Sequence, residues 1–358
     1  MRFSYTLLCL LFAACGDDVS NDAGTQSDVP GRDATLQDVG PEDAAMDTPD
    51  DSAADAPIAD AGADVPEPLD AGPPANPLEG AGPVEALIGD FEGEAFGFTE
   101  GPHWFDGELF FTDQYFGRPE LTAVYALTPP SELRIVVQPS DGANGLAHTP
   151  SGELIACHQA GRRVAQIADG SIDTVYERYE GQRYNAPNDL VFRGDGAWFF
   201  TDPGYGADDA AEMDVRGLYF VPAGALGSET RRVWSGGLDQ RPNGVALSPD
   251  DSVLYLADTA DGVVRAFDVA LGGELTNERT FVSVNGPDGM TVDTGGNVYV
   301  STRAGIEVFA PDGMRWGALE LTDTTNVTFG GDARQTLFIT TRNTVYRTRL
   351  NAVGIEGR

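Results

Sequence analysis

Six times along this chain an acidic or amide residue opens a short apolar run, a turn follows, and a second apolar run ends about fourteen residues later. The six leaders are Glu100 in EGPHWFDGELFFTD, Asn144 in NGLAHTPSGELIAC, Asn188 in NDLVFRGDGAWFFTD, Asn243 in NGVALSPDDSVLYLAD, Asp288 in DGMTVDTGGNVYVST and Asn326 in NVTFGGDARQTLFITT. They lie 44, 44, 55, 45 and 38 residues apart. Self-similarity at that period restricts the fold to a repeat architecture. The hairpin pattern inside each unit, two β-type runs around a Gly, Asp, Ser or Pro turn, selects an all-β, six-bladed β-propeller.

Between leaders come further strand pairs: TAVYALT with LRIVVQ, RVAQIA with DTVYER, GLYFVP with RRVWSG, VVRAFDV with RTFVSV, and GIEVFA with RWGALEL. None shows helical periodicity, and together they make four strands per unit. The extra length between Asn188 and Asn243 is expected as a loop in GYGADDAAEMDV. Closure of the circle is expected from NTVYRTRL at the C-terminal end and VEALIGDFEG at the N-terminal end, which would cover exposed strand edges.

Six equivalent leaders in a propeller would converge on one axis. Glu100, Asn188, Asn243 and Asp288 offer carboxylate and amide oxygens, a donor set that suits calcium or magnesium better than zinc or copper. Calcium is favoured because a wide, wet axis tolerates irregular, high coordination. The bland alternative is that each Asx residue merely makes an Asx-turn before a strand.

The first 85 residues are unlike the rest. Residues 1–14 carry one arginine and the apolar run LLCLLFAA, the pattern of a secretory signal and too short for a membrane span. FAAC resembles the lipobox of bacterial lipoproteins, with Phe12 where leucine is usual, so Cys15 is the expected lipidated terminus. Cleavage by ordinary signal peptidase, giving a secreted protein, is the alternative. Between Gly16 and Glu85 there are 18 acidic residues against one arginine, Arg32, the composition of a disordered, self-repelling tether. The expected organisation is therefore signal 1–14, tether 16–85 and propeller 86–358. The propeller keeps 39 acidic residues against 20 arginines, which argues against nucleic acid as a partner; the absence of lysine is read as a compositional bias toward arginine. Of Cys9, Cys15 and Cys157, only Cys157 lies in the propeller, in the strand pattern ELIAC, where a buried structural thiol is expected.

EGPHWFDGELFFTD resembles the opening motif of the senescence-marker-protein, gluconolactonase and regucalcin-like family. YNAPNDLVFRGDGAWFFTDPGYG, RPNGVALSPDDSVLYLADT and PDGMTVDTGGNVYVST resemble its later motifs in the same order, over residues 98–341. The resemblance implies a six-bladed propeller with a divalent metal on its axis, usually calcium with magnesium or zinc as the other ions, held by Glu100, Asn188, Asn243 and Asp288. It implies hydrolysis of a lactone or related ester, with Asp288 as general base or, as in related phosphotriesterases, as nucleophile. It also implies substrate contact for Asn144. Asp202 in FTDP is read as a substrate residue, as a residue supporting the ligands from behind, or as a strand-end turn.

His103 and His148 alternate with apolar neighbours and are read as structural. No GxSxG is present. Relatives commonly read CEHGNRRV where this chain has CHQAGRRV, so His158 and Gln159 replace an acid and a histidine while Arg162 and Arg163 remain. That departure makes His158 a candidate substrate residue and leaves gluconolactone as one candidate substrate among several. The expected protein is an exported, membrane-anchored monomer acting on a small lactone or ester. A phosphotriesterase-like hydrolase and a non-catalytic, calcium-clamped binding propeller are the competing functions.

Overall fold

The computed structural model of the chain describes residues 75–206, 211–225 and 229–357. The signal, Cys15 and most of the expected tether lie outside them. The described residues contain no α-helix, only strands and one short 3-10 turn at Pro119–Leu121.

Six four-stranded antiparallel sheets are the blades of a propeller. Their first strands are Thr99–Phe105, Ala143–His148, Leu190–Phe192, Pro242–Leu247, Met290–Val292 and Thr324–Gly330. Each of these touches the first strand of the next blade, and Thr324–Gly330 touches Thr99–Phe105, which closes the circle. The sixth blade takes its outermost strand, Glu85–Ile88, from the other end of the chain, pairing it with Val345–Arg349. The long third repeat spends its extra residues between Trp198–Asp202 and Arg216–Val221, as its loop composition indicates.

Six apolar clusters fill the six gaps between blades. Alternation along one strand feeds two gaps at once. Leu109 and Phe111 point into the gap between blades six and one, whereas Phe110 points into the gap between blades one and two. Strands buried on both faces therefore read as continuous apolar runs such as LFF, WFF and LYL. Cys157 is fully buried in the second gap, and burial pushes its thiol pKa well up, as a structural thiol requires.

One boundary needs correcting. The Pro- and Gly-rich composition before Val84 suggests tether up to residue 85, yet residues 75–84 lie against the sixth blade. Leu78, Ala81 and Val84 pack on the cluster between blades five and six. Gly82 donates its N–H to Arg349 O at 2.8 Å, and its carbonyl accepts from Thr348 Oγ1 at 2.9 Å. Three apolar residues spaced by turns are too sparse to register as a strand, so composition alone misses them.

Candidate functional site

The six leaders form a tight ring because of the residues that come directly after them. In four blades the next residue is glycine: Gly101, Gly145, Gly244 and Gly289. A Cβ on Gly101 would sit 2.0 Å from Asn144 O, one on Gly244 2.3 Å from Asp288 O, and one on Gly289 1.9 Å from Asn326 Cγ. Each glycine thus lets the neighbouring leader close in. The strands are also irregular at the leaders, with a break in pairing register at Glu100/His103, Ala143/Leu146, Pro242/Val245 and Thr324/Asn326. Such bulges re-aim side chains out of the plane of a sheet.

Glu100, Asn144, Asn188, Asn243 and Asn326 are each 4–6% exposed. Asn326 Nδ2 donates to Glu100 Oε2 at 3.1 Å, and the Gly101 N–H donates to the same oxygen at 2.8 Å. Asn243 lies beside Asp288, and its Nδ2 donates to Thr259 Oγ1 at 3.0 Å and to Tyr205 OH at 3.3 Å. Burial, and then mutual repulsion with Asp288, hold the Glu100 carboxyl well above its ordinary range. Asp288 is raised by burial and by Asp189.

Asp189 lies outside the set of leaders that the repeat singles out. It stands where four other blades have glycine, and its two carboxylate oxygens accept from Leu190 N at 2.9 Å and Val245 N at 3.3 Å, tying blade three to blade four. Burial pushes its pKa up to about 7. Its one signal in the sequence is a second polar side chain directly after a leader, where glycine is the rule.

Two buried carboxylates beside a third, with no arginine among their causes of shift, make an electron-rich axis. Among the described residues no three His, Cys, Asp or Glu side chains form a metal-binding group. The axis instead brings two carboxylates together with amide oxygens, a set that matches the oxygen donors of calcium. The residues present therefore fit a hard divalent cation: it would offset charges that the fold otherwise leaves buried and opposed.

Asp202 and His158 occupy equivalent places, at the inner end of the second strand of their blades. The Asp202 carboxylate accepts from Asn185 N at 2.8 Å and Ala186 N at 2.6 Å. Asp113 holds Gly97 and Phe98 in the same way, and Asp258 holds Arg241. All three clamp the segment that leads into a leader. His158 fills that place in blade two, its Nδ1 2.8 Å from Ser140 O, and it is fully buried with its pKa pushed to about 4, first by burial and then by Arg163. Both side chains are fully buried against backbone, an arrangement that favours a clamping role for Asp202 and His158 over the expected substrate contact. Replacing Asp202 by Asn should then lower Tm by several °C, because one carboxylate oxygen bonded to backbone is lost at about 1–3 kcal/mol and a domain of this size shifts roughly 2–4 °C per kcal/mol. Lactone KM should stay within twofold; a KM rise without a Tm change would restore a substrate role.

The residue after the clamp is the one that meets the mouth in blade two. Gln159 Oε1 accepts from Asn144 Nδ2 at 3.1 Å and from Gln114 Nε2 at 3.2 Å, while Gln159 Nε2 donates to Tyr205 O at 3.1 Å. The departure CHQAGRRV thus acts through Gln159, which fixes Asn144. Further along the first strands, His103 and His148 stack with centroids 5.2 Å apart, and His103 Nε2 accepts from His148 N at 3.3 Å. Burial drives their pKa values to about 3 and about 4, so both are neutral structural groups.

Residues 98–343 match the model of the SMP-30/gluconolactonase/LRE-like region. The chain belongs to that family. A curated gluconolactonase from Zymomonas mobilis subsp. mobilis is 29% identical over 309 residues, covering 77% of this chain and 84% of that one. The structure of a gluconolactonase from Xanthomonas campestris is 29% identical, covers 77% of this chain and 91% of that chain, and superposes with a TM-score of 0.68. A regucalcin from Agrobacterium tumefaciens, described as a calcium-binding protein, covers 77% of this chain and 98% of that one with a TM-score of 0.62, but at 16% identity it speaks for the fold alone.

Proposed function

We propose that this chain is a calcium-dependent lactonase that opens a cyclic ester at the propeller axis. The observation that carries it is the pairing of Glu100, buried, and Asp288, half-buried, two carboxylates set among amide side chains in a family that includes named gluconolactonases. Glu100, Asn188, Asn243 and Asp288 would hold the ion. When bound, it supplies Lewis acidity toward the carbonyl oxygen and lowers the pKa of an attacking water.

The chain's own residues do the rest. Asn326 and the Gly101 amide fix Glu100. Asp288 accepts a proton from the water as its oxygen bonds to the carbonyl carbon, and returns it to the ring oxygen when the acyl C–O bond breaks, leaving a hydroxy acid. Asn144, held by Gln159, keeps a second N–H for the substrate. Upstream, the signal pattern and Cys15 support export and lipid anchoring. The substrate is a small molecule and the working unit a monomer.

The test is turnover of a lactone panel and of an aryl phosphotriester, each with and without chelator. Chelator-sensitive lactone hydrolysis is expected. Hydrolysis of the phosphotriester alone would replace the reading with a phosphotriesterase, and a chelator effect on Tm without any turnover would make the site a structural clamp.

A further inference from the structure

We infer that the substrate side pocket is built for a lactone ring bearing an apolar substituent, and not for a polyhydroxylated sugar lactone; this rests on the lactonase reading above. A cavity of about 370 Å³ adjoins the axial ring between the blade-one and blade-two loops, sharing Gln159 and Tyr205 with it. These two residues are continuous with the leaders: Gln159 bonds Asn144, and Tyr205 OH accepts from Asn243. A ring ligand reacting over Asp288 would therefore direct a substituent into this cavity.

The cavity wall is mostly apolar surface, with few polar groups left to bond a ligand. Tyr115, Phe116, Pro119 and Ala160 form the outer wall. Phe116 is 66% exposed, unusual for a large aromatic ring, and stands with its centroid 5.1 Å from that of Phe98, two residues before Glu100. Sugar recognition needs free donors and acceptors spaced along the wall. Here Gln159 spends its oxygen on two N–H groups and one of its own N–H bonds on Tyr205 O. Arg162 turns its Nε to Tyr184 O and Asn185 O, at 2.9 and 3.0 Å, and its buried Nη2, without a partner, leaves one donor where a row of hydroxyls would need several. A row of hydroxyls entering this cavity would lose water without replacing its hydrogen bonds, whereas an alkyl or aryl group would gain from every methylene it buries, about fourfold in affinity each.

Calorimetric binding of three ring lactams, which keep the ring shape but resist hydrolysis, tests this on the calcium-loaded protein. The probes are δ-valerolactam, its 6-pentyl derivative and D-glucono-δ-lactam. The pentyl lactam is expected to bind at least tenfold tighter than either other. Ala160→Trp, which fills the cavity, should erase most of that margin, and so in part should Phe116→Ala, a change at an exposed side chain that leaves the core intact. The δ-valerolactam affinity should stay within twofold in both variants.

Glucono-lactam binding as tightly as the pentyl lactam, or an Ala160→Trp variant that weakens all three alike, overturns the proposal. Parallel hydrolysis of δ-decalactone and glucono-δ-lactone separates it from the reading beneath. Selective lactam binding without hydrolysis of either lactone supports the pocket and sinks the lactonase; hydrolysis of both lactones at equal kcat/KM sinks the pocket and leaves the lactonase.

Discussion

Asp288→Asn is expected to lower kcat for lactone hydrolysis by about 10²- to 10⁴-fold, the range for removing a positioned general base. KM should change little, because Asn keeps an oxygen of the same reach. Ion content, read by titration with a calcium indicator, should persist at raised ion concentration. Steady-state rates at saturating calcium make the measurement, and a kcat loss below tenfold would remove Asp288 from proton transfer and leave it a holder of the ion. Glu100→Gln is the companion: with one carboxylate gone from the axis, calcium affinity should fall more than kcat does at saturating ion.

Removing the ion is expected to make the fold sensitive to pH in an unusual direction. In the metal-free protein burial raises Asp189 to about 7, and Glu100 and Asp288 are raised by burial and by their neighbours' negative charge. Unfolded, all three titrate near 4. Through these three carboxylates, between about pH 4 and 7, the folded state binds more protons than the unfolded state, so their contribution to stability falls as pH rises; His103, His148 and His158, held neutral by burial, give the opposite slope over the same window with or without the ion. Each pKa unit is worth about 1.4 kcal/mol, so between pH 5 and 7.5 chelated protein should lose roughly 5 °C or more of Tm relative to the calcium-loaded protein. Calcium should abolish most of that slope by binding only the folded state and neutralising the carboxylates. Starting at pH 5 avoids Asp250, which Ser248 and Ser252 pull down to about 2 and whose contribution is lost only as pH falls below about 4. Scanning calorimetry with and without chelator reads both arms; a Tm gap between the two arms that does not widen as pH rises would mean that the axial carboxylates are not opposed in the fold.

Legibility differs by residue. The hairpins LFFTD, LIACH, WFFTD and LYLAD are readable as strands because both faces of each are buried between blades, which turns a three-dimensional position into a continuous apolar run. The leaders are readable because the Gly that succeeds four of them is demanded by approaches of 1.9–2.6 Å to any added Cβ. Asp202 and His158 are harder. Polar residues at strand ends look alike whether they face a ligand or the backbone, and only the placement of Asn185, Ala186 and Ser140 shows which. Gln159 and Tyr205 have no periodic signal at all, since loop residues owe their position to the strands on either side. Residues 75–84 are hidden by their composition, because a few apolar contacts anchor a segment without patterning it.

The sequence by itself determined the six-fold repeat, the closure from both chain ends and the ring of oxygen side chains, since each is a local pattern that recurs with the period of one blade. Only the tertiary structure decided which of those side chains meet, that Asp189 joins them, and that Gln159 rather than His158 turns toward the mouth. Adjacent residues on a strand face opposite ways, and each then touches side chains of blades some 45 residues away, a distance over which sequence periodicity carries position but not contact.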